Sequence, residues 1–206
     1  MIAIIDYDIG NIGSVLKAFK YLEIEAVLTK DLAEIKKSSG IVLPGVGAFG
    51  EGMRNIRKLG LEDTIKEEIA KGKPFFGICL GMQLLFDASE EAKGETGLAL
   101  IPGLVKKFER KSVGKIPQIG WNQVELIKED PIMEDLSGED YYFVHSFYPA
   151  PESEDFVVGK TVYGDTEFAS FVRRENVWGM QCHPEKSSKI GLQTLKNFGE
   201  VVSKWK

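Results

Sequence analysis

Residues 75 to 86, Phe-Phe-Gly-Ile-Cys-Leu-Gly-Met-Gln-Leu-Leu-Phe, set one of the chain's two cysteines between glycines, where an apolar strand gives way to a helical pattern. Glycine is unfavourable inside either element. Gly77 and Gly81 therefore mark a backbone that turns sharply in little space and lifts the side chain between them into the open. The spacing Gly77-Ile78-Cys79-Leu80-Gly81 is that of a nucleophile elbow with a thiol in place of the serine. The attacking species must be the thiolate, and a free thiol is only a few per cent ionised at pH 7. A helix beginning at Leu80 and a nearby imidazolium would both favour the charged form.

The chain has two histidines, His145 and His183, from which to draw a base. In Trp178-Gly-Met-Gln-Cys-His-Pro-Glu185, strand alternation puts Gly179, Gln181 and His183 on one face and Trp178, Met180 and Cys182 on the other. Cys182 thus joins the apolar face. If the extended conformation continues through Pro184, Glu185 points the same way as His183, and its carboxylate fixes the imidazole tautomer and stabilises its protonated form. Cys79, His183 and Glu185 then make a nucleophile, base and orienting acid. The residues alone leave open a buried structural cysteine, a hydrogen-bonded core histidine and a zinc site, although these ligand spacings suit zinc poorly. No metal or cofactor is expected.

Acyl transfer also needs donors for an oxyanion. Leu43-Pro-Gly-Val-Gly-Ala-Phe-Gly50 supplies a glycine loop after a strand, and Gly45, Gly47 and Gly50 match the dinucleotide-binding spacing. That fingerprint belongs to the first strand of its fold and needs an acidic residue about 20 positions on, where this chain has Ala70. The loop fits better as a source of backbone N–H groups beside that of Leu80. Gln83, four residues after Cys79, shares its helix face.

These residues require elements to hold them. Ile2 to Ile5, Ala26 to Leu28, Ile41 to Leu43 and Pro74 to Ile78 read as strands. Ser14 to Leu22, opened by a Ser14 cap, Gly52 to Leu59 and Leu61 to Ala70 read as helices. Strands alternating with helices imply parallel units and a three-layer α/β/α core with a flavodoxin-like, largely parallel central sheet. After residue 116 the runs shorten and turn signals multiply, predicting antiparallel additions to that sheet or a small second sheet, and a closing helix over 190–205. At 206 residues the expectation is one domain. A net charge of -5 offers no footprint for nucleic acid. No run is long and apolar enough for a membrane span, and no signal peptide is evident, so a cytoplasmic chain with free cysteines is expected.

Together, the cysteine elbow, the preceding glycine loop and His-Pro-Glu resemble the class I (triad) glutamine amidotransferases over nearly the whole chain. More narrowly, Asp6-Tyr-Asp-Ile-Gly-Asn11, the Leu43 to Met53 loop, Ile119-Gly-Trp-Asn122, Tyr141-Tyr-Phe-Val-His-Ser146 and His183 to Phe198 look like the glutaminase subunits of imidazole glycerol phosphate synthases. The resemblance implies a glutamyl thioester on Cys79, with water completing hydrolysis to glutamate and ammonia. It implies an oxyanion site around Val46, Gly47 and Leu80, and a substrate site from Gly45, Gly47, Gln83, Glu91, Ser146 and Phe147. It also implies a heterodimer with a (β/α)8-barrel synthase of the histidine pathway, which receives the ammonia by a tunnel, with Asn11, Trp121, Asn122, Tyr142 and Lys186 near that face. Two residues depart from the family's usual pattern: Gln118, where histidine is common, puts contacts near the partner face in question, and Cys182, where phenylalanine is common, exchanges one buried apolar group for another. Glutaminases of other pathways and a non-catalytic regulatory partner are the alternatives.

Overall fold

The computed structural model describes residues 1–10 and 12–205. Its first half is a run of short apolar strands and amphipathic helices: β1 (Ile2–Ile5), α1 (Ile12–Tyr21), β2 (Ala26–Thr29), α2 (Leu32–Lys37), β3 (Gly40–Leu43), α3 (Phe49–Lys58), α4 (Leu61–Ala70), β4 (Phe75–Ile78) and α5 (Leu80–Gln83). The strands pair in parallel in the order β2-β1-β3-β4. Three of them, β1, β3 and β4, are buried along their whole length, because helices cover both faces and leave no solvent side for polar residues.

The second half adds β5 (Ala88–Ser89), β6 (Gly103–Lys107), α6 (Arg110–Val113), β7 (Gln118–Leu126), β8 (Glu139–His145), β9 (Phe147–Pro151), β10 (Val157–Tyr163), β11 (Thr166–Arg174), β12 (Val177–Met180) and α7 (Ser188–Lys204). β12 returns parallel to β4, and β11, β10, β7 and β8 extend the sheet antiparallel to a total of nine strands. β5, β6 and β9 form a separate small sheet. Both alternatives left open by the sequence therefore occur. The main sheet is mixed, with parallel and antiparallel halves meeting at β12, beside the strand that delivers Cys79. Trp178 pairs with Phe76 and Gly179 with Gly77 across that junction.

One core layer joins Ile2, Ile4, Val42 and Phe76 to Val15 and Phe19 of α1 and to Leu195 and Phe198 of α7. The opposite layer joins Ala3, Ile5, Ile41, Leu43 and Phe75 to Met53, Ile56, Ile65 and Ile69 of α3 and α4. These are the expected three layers. Two helix starts differ from expectation. α1 already begins at Ile12, so Ser14 lies inside it instead of capping it. α3 begins at Phe49, because its first N–H is capped by the Glu91 carboxylate from 42 residues away, a tertiary contact no local pattern announces. Among the described residues no helix is long and apolar enough to cross a membrane.

Candidate active site

Cys79 joins β4 to α5 with φ 53° and ψ −107°, a backbone that L-residues seldom adopt. Its two glycines are required by close approach. A Cβ on Gly77 would strike the Gly81 carbonyl, and one on Gly81 would strike the Leu43 carbonyl of β3. The elbow is thus clamped against the sheet, with the Cys79 N–H donating to the Met180 oxygen at 2.7 Å. The following helix is one turn of four residues, so its aligned dipole is small and charge on the sulfur depends on side chains around it.

Across the β4–β12 pair, the strand ends at Met180 and the chain leaves the sheet. The extended path expected through Pro184 does not occur. Pro184–Lys186 is a 3-10 turn with His183 as its N-cap, proline favouring the turn's first position. The turn itself swings Glu185 back onto the imidazole, Nδ1 to Oε1 2.9 Å, with both side chains almost fully buried. Nδ1 is taken by the carboxylate, and Nε2 has no hydrogen-bond partner among the described residues, leaving it as the ring atom for the sulfur. Burial works against charge on His183, but the Cys79 thiolate and the Glu185 carboxylate outweigh it and raise the imidazole to about 10. Ser187 secures the turn: its Oγ donates to the His183 carbonyl at 2.6 Å and accepts from Tyr142 N–H at 2.9 Å.

The glycine loop lies opposite. Gly47 has φ +127°, where a side chain would be strained. A Cβ at Gly45 would collide with the Tyr7 hydroxyl, which donates to the Pro44 carbonyl at 2.6 Å and holds the loop from beneath. Burial, and next the charge of Cys79, push the Tyr7 phenol far up, so it stays a neutral donor. Leu80 N–H points at this loop and donates to the Gly45 carbonyl at 3.3 Å. One of the expected oxyanion donors is therefore engaged by the loop.

Between loop, elbow and β8–β9 turn is a cavity of about 440 Å³, lined by Val46, Gly47, Cys79, Leu80, Gln83, Glu91, Ser146, Phe147 and Lys186, along with Pro117, Val144 and His145. Of the residues expected to hold substrate, Gly47, Gln83, Glu91, Ser146 and Phe147 line it, and Gly45 sits just behind. Gln83 spends Nε2 on the Phe147 carbonyl and on Gln181 Oε1, both at 3.0 Å. Glu91 keeps one oxygen at the start of α3, 2.7 Å from Phe49 N–H. A carboxylate and an amide oxygen facing one pocket suit a ligand ammonium group.

Two residues with positions in this site carried no role from sequence, Tyr7 and Gln181, and His145, one of the two candidate bases, instead turns its Nδ1 to the Phe147 carbonyl at 2.7 Å. Gln181 had a signal, since alternation placed it on the His183 face. It is fully buried, and its Nε2 donates to Cys79 Sγ at 3.6 Å. Cys182 is buried in the apolar layer as expected.

At the rim, Trp121 is half exposed and meets the Tyr142 ring at 6.0 Å and 66°. Ile119 and Val162, also exposed, extend an apolar strip on β7 and β10. Lys186 is exposed at the cavity mouth. Strand alternation turns Asn122 to the face opposite Trp121, where its Oδ1 accepts from Gln118 Nε2 at 2.8 Å. Gln118 itself is fully buried. Asn11 lies outside the described residues.

The model of the family described as glutamine amidotransferase class-I matches residues 3–201. A curated relative from Moorella thermoacetica named imidazole glycerol phosphate synthase subunit HisH is 48% identical over 98% of this chain and 95% of its own length. Another of the same name from Bacillus cereus is 48% identical over 100% and 97%. Among solved structures, a glutamine amidotransferase superposes with TM-score 0.77 over 98% of both chains at 19% identity, and PurLQS from Thermotoga maritima with 0.72 over 97% of both at 18%. These last two share the fold.

Proposed function

The chain belongs to the class I glutamine amidotransferase family, and we propose that it works as the glutaminase subunit of an imidazole glycerol phosphate synthase, supplying ammonia to a synthase subunit in histidine biosynthesis. The single observation that carries the chemistry is the buried His183–Glu185 pair, its imidazole fixed by a 2.9 Å bond, behind a Cys79 that lines the cavity. Near full-length identity to the HisH subunits supports the pathway.

The Cys79 thiolate attacks the carboxamide carbon of glutamine, and the carbonyl π pair moves onto oxygen. As the tetrahedral centre collapses, the C–N bond breaks and the nitrogen takes the His183 proton, leaving as ammonia. A γ-glutamyl thioester remains. Water then attacks it, giving its proton to His183, and the sulfur departs as thiolate. Glutamate is released and the imidazolium–thiolate pair is restored. Acid–base work by a positioned imidazole is typically worth about 10²–10⁴ in rate. Gln83 and Glu91 hold the substrate ammonium, and Ser146 and Phe147 border the same amino-acid end.

The Gly45 carbonyl on Leu80 N–H has a regulatory reading. A loop carbonyl in that position withholds a donor, and one such donor is worth about 2.7–4 kcal/mol of transition-state stabilisation. Turning the Gly45 to Gly47 peptides, eased by Gly47, would free Leu80 and aim a loop N–H at the oxyanion. The partner, a (β/α)8-barrel synthase, docks over Trp121, Tyr142 and Lys186 and shields ammonia from water, where it would be protonated and no longer nucleophilic. The test is glutamate release by the purified chain alone, then with a barrel synthase and its phosphorylated ribulosyl substrate. Strong stimulation by the liganded partner is expected. Full activity alone, or none in either state, would overturn the pathway assignment or the gating.

A further inference from the structure

Cys79, His183 and Glu185 account for the nucleophile and base but not for what holds the sulfur itself. We propose that Gln181 is the residue that positions Cys79 Sγ, as the last member of a hydrogen-bonded chain whose direction is dictated by the Phe147 backbone carbonyl. The inference rests on the glutaminase reading only for its consequence in turnover, not for the geometry.

A carbonyl oxygen accepts and never donates. The Gln83 atom 3.0 Å from Phe147 O must therefore be its NH₂. That same NH₂ lies 3.0 Å from the Gln181 side chain, so the near end of Gln181 must be its oxygen. Gln181 is then obliged to aim its own NH₂ at Cys79 Sγ, 3.6 Å away. From the other side, His145 Nδ1 lies 2.7 Å from Phe147 O and must be the protonated nitrogen. One main-chain oxygen thus orients a tautomer and two amides that would otherwise be free to flip. Gln181 has little freedom of its own: it is fully buried, and its backbone N–H donates to Ser170 O at 2.9 Å.

An N–H donor directed at sulfur favours thiolate over thiol and fixes the lone pair that attacks. It also consumes both Gln83 amide hydrogens within the protein, leaving the Gln83 oxygen as the part presented to substrate. Gln181 is a positioning residue, acting through Cys79 and Gln83.

The test reads the sulfur directly. Cys79 alkylation by iodoacetamide is followed against pH in the full chain, with the modified peptide identified by mass spectrometry so that buried Cys182 does not contribute. Gln181→Met conserves volume and removes the donor; it is expected to raise the pH of half-maximal alkylation by about one unit, a tenfold loss of thiolate at fixed pH. Gln181→Glu keeps the acceptor for Gln83 but, once ionised, turns a carboxylate oxygen toward sulfur, so its shift is expected to exceed that of Gln181→Met. Glutamine hydrolysis with the partner should fall through kcat by about tenfold or more, while wild-type protein under the same assay reports whether the glutaminase reading itself holds. A folded Gln181→Met or Gln181→Glu protein whose alkylation profile overlays the parent's would overturn the proposal, whatever its activity.

Discussion

The chain's two histidines are both buried and sit on opposite sides of neutrality. Burial pushes His145 down to about 3; the Phe147 carbonyl opposes this, and the charge of His183 adds to it. Burial opposes charge on His183 as well, yet the thiolate and carboxylate beside it carry that imidazole up to about 10. Depth inside the fold is shared, so the partners decide: a neutral carbonyl does not repay the desolvation of an imidazolium, whereas two anions do. The same residue type consequently serves as a structural donor at one end of the site and as a proton carrier at the other.

Removing the thiolate is the most drastic way to break this contrast. Cys79→Ala is expected to lower glutamine hydrolysis by at least about a thousandfold, with affinity for the synthase unchanged. In the same variant the His183 midpoint should drop from about 10 toward the ordinary 6.5, with His145 still neutral. With two histidines in the chain, two imidazole signals in an NMR titration suffice to read both. A His183 midpoint that stays near 10 would show that Glu185 alone supplies the charge balance; undiminished hydrolysis would remove Cys79 from the mechanism.

The second contrast is in stability, and its signs are opposite for the two rings. His145 titrates at about 3 folded and at about 6.5 unfolded, so between these values the unfolded chain binds the extra proton. Its contribution is fully present above pH 6.5 and is lost as pH falls toward 3, up to about 5 kcal/mol at ~1.36 kcal/mol per unit. The contribution of His183, raised to about 10, is fully present below 6.5 and is lost as pH rises through 10. His145→Leu should therefore flatten the dependence of unfolding free energy on pH between 6.5 and 4 and leave the alkaline limb intact. Urea unfolding at a series of pH values checks this, and an unchanged acid slope would mean that the ring is hydrated in the native state.

How far this was readable from sequence follows the range of the contacts. Cys79 between Gly77 and Gly81, and Glu185 two residues from His183, are short-range patterns whose chemistry demands those residue types, and they pointed to the site directly. The route differed: the carboxylate arrives by a 3-10 turn, since β12 ends at Met180 once the chain is drawn toward β8 through His183 N–H and Tyr142 O. The start of α3 was hidden because its cap, Glu91, comes from a distant loop. Strand alternation placed Gln181 beside His183, but that its amide reaches sulfur depends on Phe147, 34 residues earlier, which no local pattern connects to it. Asn122 was grouped with Trp121 by motif, although period-two alternation in β7 separates them.

The smallest expected effect concerns the neighbour of the neutral ring. Gln118 lies directly across from His145 in the β7–β8 register. Because the His145 Nδ1 proton is committed to Phe147 O, Nε2 carries a lone pair; Gln118 Oε1 is also an acceptor, and neither has a partner among the described residues. Two buried acceptors facing one sheet position cannot satisfy each other. A neutral histidine at 118 brings one N–H donor and one acceptor nitrogen; with the N–H turned to His145 Nε2, one of the two unpartnered acceptors is satisfied, so Gln118→His is expected to stabilise the fold by about 0.5–1.5 kcal/mol. The gain would appear as a higher urea midpoint with an unchanged slope. It should come without moving His145 into the physiological range, since the new neighbour adds a donor and no negative charge. A destabilised Gln118→His protein would mean that the bond from Gln118 to Asn122 contributes more than the missing donor, and that the neutrality of His145 is maintained at no cost to its surroundings.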